Sequence, residues 1–226
     1  MIEIGANIGT ETVGFADIVG KEGKVYAFEP FPNNVKALQE NVALNGYEQV
    51  TIFPQAVGAI RGKVKFVCPP DEHASGIGFV ANNADSTEGP VIEVECVTLD
   101  ALRQMLGPCR AIFMDVEGAE IDILRGGTSY IQEFQPIIVL EASPKTLQRA
   151  GFNLYNLHEQ IAALGYQAFR IGRLGVRKVD LASSSTSNWL CVPLSKQHIL
   201  ASVKQMIRRS GFFPCIPGLN PMTAGG

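Results

Sequence analysis

The sequence predicts a single α/β domain, a mostly parallel sheet with helices on both faces. Three observations predict it. Short β-rich segments alternate with segments of helical spacing along most of the chain. Two of those strands, "AIFMDVEG" and "PIIVLEAS", are apolar up to a terminal acid, as strands covered on both faces must be. And the chain opens on an apolar stub, "MIEI", that runs straight into the turn Gly5-Ala6-Asn7-Ile8-Gly9. A glycine-rich turn in that place joins a strand to a helix and commonly holds a ligand.

Taken in order, Met1 to Ile4 forms the first strand, and "KVYAFEP" (Lys24 to Pro30) and "VTIFPQAVG" (Val50 to Gly58) the next two. Each is bounded by turn formers. "NNVKALQENVALNG" sets Val35, Leu38 and Val42 on one helical face and stops at Gly46, a suitable residue for the left-handed position after a helix. Residues 59–97 break the alternation. "GKVKFVC" and "VIEVECV" suggest an extra β-hairpin inserted around residues 60–97, closed by the loop "PPDEHASGIGFVANNADSTEGP". Loops of that length in a compact domain usually serve function, and Ser75 to Gly78 suit a lid at an entrance. "GAEIDILRGGTSYIQEF" and "NLYNLHEQIAALG" have helical spacing, the second closing at Gly165. "YQAFRIG" and "NWLCVPL" flank a polar segment and suggest a terminal antiparallel pair, with "SKQHILASVKQMIRRSG" as a closing amphipathic helix. The domain is therefore expected over residues 1–210, followed by a Pro/Gly-rich tail at 211–226.

Composition narrows the function. The chain is 46% hydrophobic and 18% charged with a formal net charge of −3, enough apolar content for a real core and no basic field to collect nucleic acid. Five cysteines without a C-x-x-C pair support neither a zinc ribbon nor a dithiol motif. No apolar run is long enough to span a membrane. The protein is expected to be soluble and cytoplasmic, without nucleic-acid or membrane partners. A homodimer through the closing helix and apolar tail fits the pattern, as does a helix packed on its own sheet.

In a parallel sheet, ligands bind beyond the carboxyl ends of the strands. Gly5 to Gly9, Glu29, Asp115, Glu117 and Glu141 all fall there. The turn departs from the dinucleotide fingerprint G-x-G-x-x-G: Asn7 stands at the middle glycine and the third is missing, which counts against NAD. Glu29 closes the second strand, where an acid accepts the hydroxyls of an adenosine ribose in NAD and S-adenosylmethionine (SAM) enzymes alike. Glu3 lies two residues before the turn, where it would hold the ammonium of an amino-acid ligand, directly or through water. SAM has that ammonium and NAD lacks it. The alternative for Glu3 is solvation at a frayed terminus.

With these pieces placed, the sequence resembles the FkbM family of SAM-dependent methyltransferases. "EIGANIGTET", "VYAFEPFPNNVKALQENVALNG", "AVGAIRGKVKF", "VTLDAL" and "IFMDVEGAEIDILRGG" carry the resemblance, in the family's order, over roughly residues 2–145. It implies a class I methyltransferase (Rossmann-like) fold, with seven strands and an antiparallel last strand. It also implies methyl transfer from SAM, usually to a hydroxyl of a natural product or sugar. By that resemblance Gly5, Ala6, Asn7 and Gly9 lie along the methionine part of SAM. Glu29 holds the ribose, Pro30 and Phe31 shape the adenine side, and Gln55, Ala56 and Val57 border the ring. Asp115, Val116 and Glu117 face the sulfonium and the acceptor. Family members carry residues ahead of the first strand, so a shortened front is expected here.

A hydroxyl acceptor needs a base. The candidates are Glu117, at a strand end before a helix, and His73, in the long loop with a side chain that titrates near neutrality; Asp115 is better suited to positioning. Glu117 would otherwise stabilise its own helix start, and His73 would be an exposed loop residue. No histidine cluster suggests a metal, although Asp115 and Glu117 offer the oxygen ligands that Mg²⁺ prefers. The competing functions are a nicotinamide oxidoreductase on a related fold and a methyltransferase-like binding module without activity.

Overall fold

The computed structural model describes residues 1–68, 78–81, 89–172 and 175–212. His73, most of the long loop and the tail beyond Phe212 lie outside them. The elements in chain order are β1 (Ile2–Ile4), α1 (Thr10–Val19), β2 (Val25–Phe28), α2 (Pro32–Leu44), β3 (Val50–Phe53), β4 (Ala56–Val57), β5 (Gly62–Val67), β6 (Phe79–Val80) and β7 (Val91–Val97). Then follow α3 (Arg103–Leu106), β8 (Ala111–Met114), α4 (Glu120–Gly126), α5 (Thr128–Phe134), β9 (Ile137–Ala142), α6 (Pro144–Arg149) and α7 (Leu154–Ala163). The chain continues through β10 (Tyr166–Gly172), β11 (Gly175–Lys178), β12 (Ser187–Pro193), a 3-10 turn (Leu194–Ile199) and α8 (Leu200–Phe212).

The main sheet runs β11-β10-β12-β9-β8-β1-β2-β3. Strands β3, β2, β1, β8 and β9 are parallel, and β12 is antiparallel to both β9 and β10. This is the expected mostly parallel sheet with a reversed last strand, plus an eighth strand at its edge. That strand, β11, comes from the segment read as a polar connection; it folds back on β10 and is covered by α8. Chain order reverses between β1 and β8, which pair directly. Such a switch point opens a crevice at the carboxyl ends of the strands.

Side-chain alternation divides the core between the two faces. On one, Ile2, Ile4, Phe28, Ile112, Ile138, Leu140, Trp189 and Cys191 pack under α4, α5 and α7. On the other, Ala27 meets Leu38 and Val42 of α2, and Val139, Leu190 and Val192 meet Val203 of α8. The middle residue of β1, Glu3, therefore points away from the larger core and toward α1.

Three segments fold differently from their sequence pattern. "VTIFPQAVG" is two strands: β3 ends before Pro54, which has no N–H to donate, and the chain then crosses to β4. The region 59–97 is more than a hairpin, since β4, β7, β5 and β6 form a second sheet in that order. "GAEIDILRGGTSYIQEF" is two short helices. They separate at Gly126 and Gly127, where a Cβ on Gly126 would lie 2.0 Å from the carbonyl oxygen of Gly58. The helix predicted over 195–211 begins as the 3-10 turn.

Candidate active site

The site is built at the β1/β8 switch. The amides of Gly5 and Ala6 both donate to the Phe28 carbonyl (2.9 and 3.0 Å), and the Asp115 amide donates to the Ile4 carbonyl (3.1 Å). The turn thus lies against the neighbouring strand end. A Cβ on Gly5 would stand 1.9 Å from the Asp115 carbonyl oxygen, and Gly5 has φ +86°. Glycine is required there on both counts. Asn7 also takes the left-handed conformation (φ 51°), which asparagine tolerates better than most residues. Gly9 turns the chain into α1, packed so closely that a Cβ would meet Leu38 at 2.6 Å.

Glu29 organises this turn. One carboxylate oxygen accepts the Asn7 amide at 2.8 Å; the other accepts the Phe31 amide at 2.9 Å and the Asn34 side chain at 3.3 Å. The carboxyl is 4% exposed, and burial raises its pKa against those three hydrogen bonds. Glu29 is consequently a structural clamp for the turn as well as an acid at the strand end, and it retains acceptor capacity on the oxygen bound only to Asn7.

A cavity of about 330 Å³ opens above these elements, within the range of small-molecule sites. The structure brings to it Gly5, Asn7, Glu29, Pro30, Gln55, Ala56, Val57, Asp115, Val116 and Glu117 from the predicted set. Ala56 and Val57 reach it from the small sheet rather than from the end of β3. The side-chain oxygen of Asn7 is buried without a hydrogen-bond partner, so a wall residue of the cavity carries an acceptor in want of a donor.

Among the described residues, four predicted ones are not in the lining. Glu3 is 1% exposed, and its carboxylate accepts the Thr12 hydroxyl at 2.6 Å beneath the turn. It is neither solvated nor frayed. Burial first, opposed by the Thr12 bond and reinforced by Glu11 and Glu29, pushes its pKa up to about 7. Ala6 is packed under α2, Gly9 lies against Leu38, and Phe31 stacks on Phe66 behind the wall, with ring centroids 6.1 Å apart.

Sequence reasoning missed Phe66, Phe79 and Val80, which the small sheet supplies to the cavity, and Asn34 and Thr10. No local pattern marks the first three, because only the tertiary fold carries them there. Asn34 could have been found: it lies five residues after Glu29, two positions into a helix with proline at its first turn.

Glu11, Asp115, Glu117 and Glu141 also line the cavity. Asp115 faces the open cavity; withdrawal from bulk water and then the Glu11 charge raise its pKa. Glu141 is raised by burial and then by Asp115 and Glu117. Glu117, with φ 49°, is raised chiefly by burial, while Arg149 at 3.6 Å opposes the shift. Carboxylates shifted upward in a cleft are stronger bases than exposed ones and are candidates for proton transfer. Among the described residues no group of three or more His, Cys, Asp or Glu side chains could hold a metal ion, and no helix is long and apolar enough to cross a membrane.

The sheet order, the reversed last strand and a glycine turn facing an acid-ended second strand define a class I methyltransferase fold. Comparison with known proteins identifies the family. A model of the Methyltransferase FkbM domain matches residues 3–168, and the chain belongs to that family. A curated relative, hexuronic acid methyltransferase AglP of Haloferax volcanii, is 28% identical over 141 residues, covering 61% of this chain and 53% of its own length. The chain thus spans about half the length of that relative. The crystal structure of methyltransferase FkbM from Methylobacillus flagellatus KT superposes with a TM-score of 0.56 at 19% identity, over 84% of this chain and 42% of that one.

Proposed function

We propose that this chain binds SAM in the cavity at the β1/β8 switch and methylates a hydroxyl of a sugar or other small natural product, a sugar acid being the first candidate. The observation that carries the reading is the convergence of the Gly5–Gly9 turn, Glu29 and the Asp115–Glu117 segment on one cavity. The relative that acts on a hexuronic acid supports the substrate class.

The residues present suit SAM. The N-terminal end of α1, with its positive dipole, faces the same space as Asn7, so one end of an amino acid meets backbone N–H groups and the other meets the unpartnered Asn7 oxygen. Glu29 offers its spare lone pairs to ribose hydroxyls, while Pro30, Gln55, Ala56 and Val57 form the adenine side. Bound SAM supplies a methyl group already activated by a positive sulfonium. The chain aligns the acceptor with it, excludes water and removes the hydroxyl proton. We assign the proton to Glu117, with Asp115 and Glu141 accepting hydrogen bonds from neighbouring hydroxyls.

The test is incubation with methyl-labelled SAM and D-glucuronate or a hexuronate-bearing glycan. The reading expects label in an alkali-stable product, a methyl ether. Alkali-labile label would place the methyl on the carboxylate and remove the hydroxyl and its base from the mechanism.

A further inference from the structure

One side chain joins parts of the site that are far apart in sequence and belong to different layers of the fold. Arg149 closes α6. Its Nη2 donates to the backbone carbonyl of Glu117 at 2.7 Å and lies 3.6 Å from the Glu117 carboxylate. The same guanidinium covers the ring of Phe79, its central carbon 3.5 Å from the ring centroid. Glu117 stands at the end of β8 in the main sheet; Phe79 belongs to β6, the edge strand of the small sheet. Both line the cavity.

The chemistry is specific to arginine. A planar guanidinium can lie flat on a ring while donating in its own plane to an oxygen at the side, which an ammonium cannot do. The Glu117 carboxylate itself stands at 3.6 Å, beyond hydrogen-bond reach, so that contact attracts without fixing a geometry. The short bond goes instead to the carbonyl of a residue held in the left-handed conformation. It therefore restrains the backbone that aims the Glu117 side chain. Behind it, the segment is seated against α6: a Cβ on Gly118 would stand 2.6 Å from the Thr146 carbonyl oxygen.

We propose that Arg149 is the positioning residue of this site. It holds Glu117 in its orientation toward the reacting atoms, and it pins Phe79 so that the small sheet forms a fixed wall of the cavity. The inference rests on the reading of Glu117 given above, but its physical content, a clamp between α6, Glu117 and Phe79, can be measured without turnover. The charged groups facing Glu117 are Arg149 and Lys145 from α6, Asp115 after β8, Glu120 at the start of α4 and Glu141 on β9. The two cations lower its pKa and the acids oppose them. Removing Arg149 moves the Glu117 titration to higher pH; replacing it with lysine preserves the charge and loses the stacking.

The experiment compares the wild-type chain with Arg149→Met and Arg149→Lys. Carboxyl-carbon NMR titration follows Glu117, and amide hydrogen exchange follows Phe79 and Ala81, the latter donating to the Lys65 carbonyl at 2.9 Å. In Arg149→Met the titration rises and exchange at Phe79 and Ala81 speeds up about 10-fold, as loss of a part-buried cation–π contact implies. In Arg149→Lys the titration stays near wild type while exchange speeds up. Variants that unfold as cooperatively as wild type, yet keep both the titration and the exchange of wild type, overturn the proposal. Failure of wild type to bind S-adenosylhomocysteine would remove the functional reading and leave these two readouts to judge the clamp.

Discussion

Replacing Glu3 with glutamine should remove much of the protein's loss of stability between acid and neutral pH. Glu3 is buried under the glycine turn, 1% exposed, with the Thr12 hydroxyl donating to it. Its pKa rises from 4.5 to about 7, so the folded state prefers the protonated acid. The contribution is fully present below pH 4.5, is lost as pH climbs through about 7, and is constant beyond. At about 1.36 kcal/mol per unit, that shift amounts to about 3 kcal/mol. Glutamine can still accept from Thr12 but carries no charge at any pH. Glu3→Gln should therefore match wild type near pH 4.5 and exceed it by up to about 3 kcal/mol at pH 8, or about 6–12 °C in midpoint for a chain of this size. Urea unfolding of both proteins at pH 4.5, 6 and 8 measures it. Parallel stability–pH curves would refute the reasoning, because they would mean that Glu3 titrates in the folded protein as it does in the unfolded chain.

Other substitutions probe the turn and the chemistry. Gly5→Ala combines a left-handed backbone with a Cβ 1.9 Å from the Asp115 carbonyl oxygen. It should cost about 2–5 kcal/mol in urea unfolding, from backbone strain and overpacking together. Glu29→Gln presents an NH2 group to one of the two backbone amides that the carboxylate accepts. One buried N–H is then unpaired, and equilibrium unfolding should show a loss of about 1–3 kcal/mol. Glu117→Gln should keep S-adenosylhomocysteine affinity by calorimetry while turnover drops by about 10²–10⁴-fold.

Much of the fold was legible because local pattern and tertiary role agree. Val35, Leu38 and Val42 share a helical face and are buried together, and the apolar runs of β8 and β9 lie at the centre of the sheet. Gly46 and Gly165 follow their helices with positive φ, as glycine placement suggested. Where the two diverge, a distant partner decides. Gly126 breaks a helical pattern because Gly58 needs the space. The polar stretch before β12 contains a strand because β10 offers it a ladder. In the site, the glycine turn and the acids at strand ends announced themselves by position in the chain. The burial of Glu3, three residues from a chain end, did not, since it depends on α1 folding back over β1. Phe66 and Phe79 were illegible as cavity residues for the same reason, and Glu29 showed its strand-end position but not the two amides that it clamps.

The central claim is that the cavity at the β1/β8 switch takes SAM, and thermal unfolding with separate ligands tests it most directly. S-adenosylhomocysteine at about 100 times its dissociation constant should add about 2.7 kcal/mol, raising the midpoint by about 5–11 °C. SAM should act likewise and NAD should not. A shift with NAD alone would contradict the account, and so would no shift with any of the three.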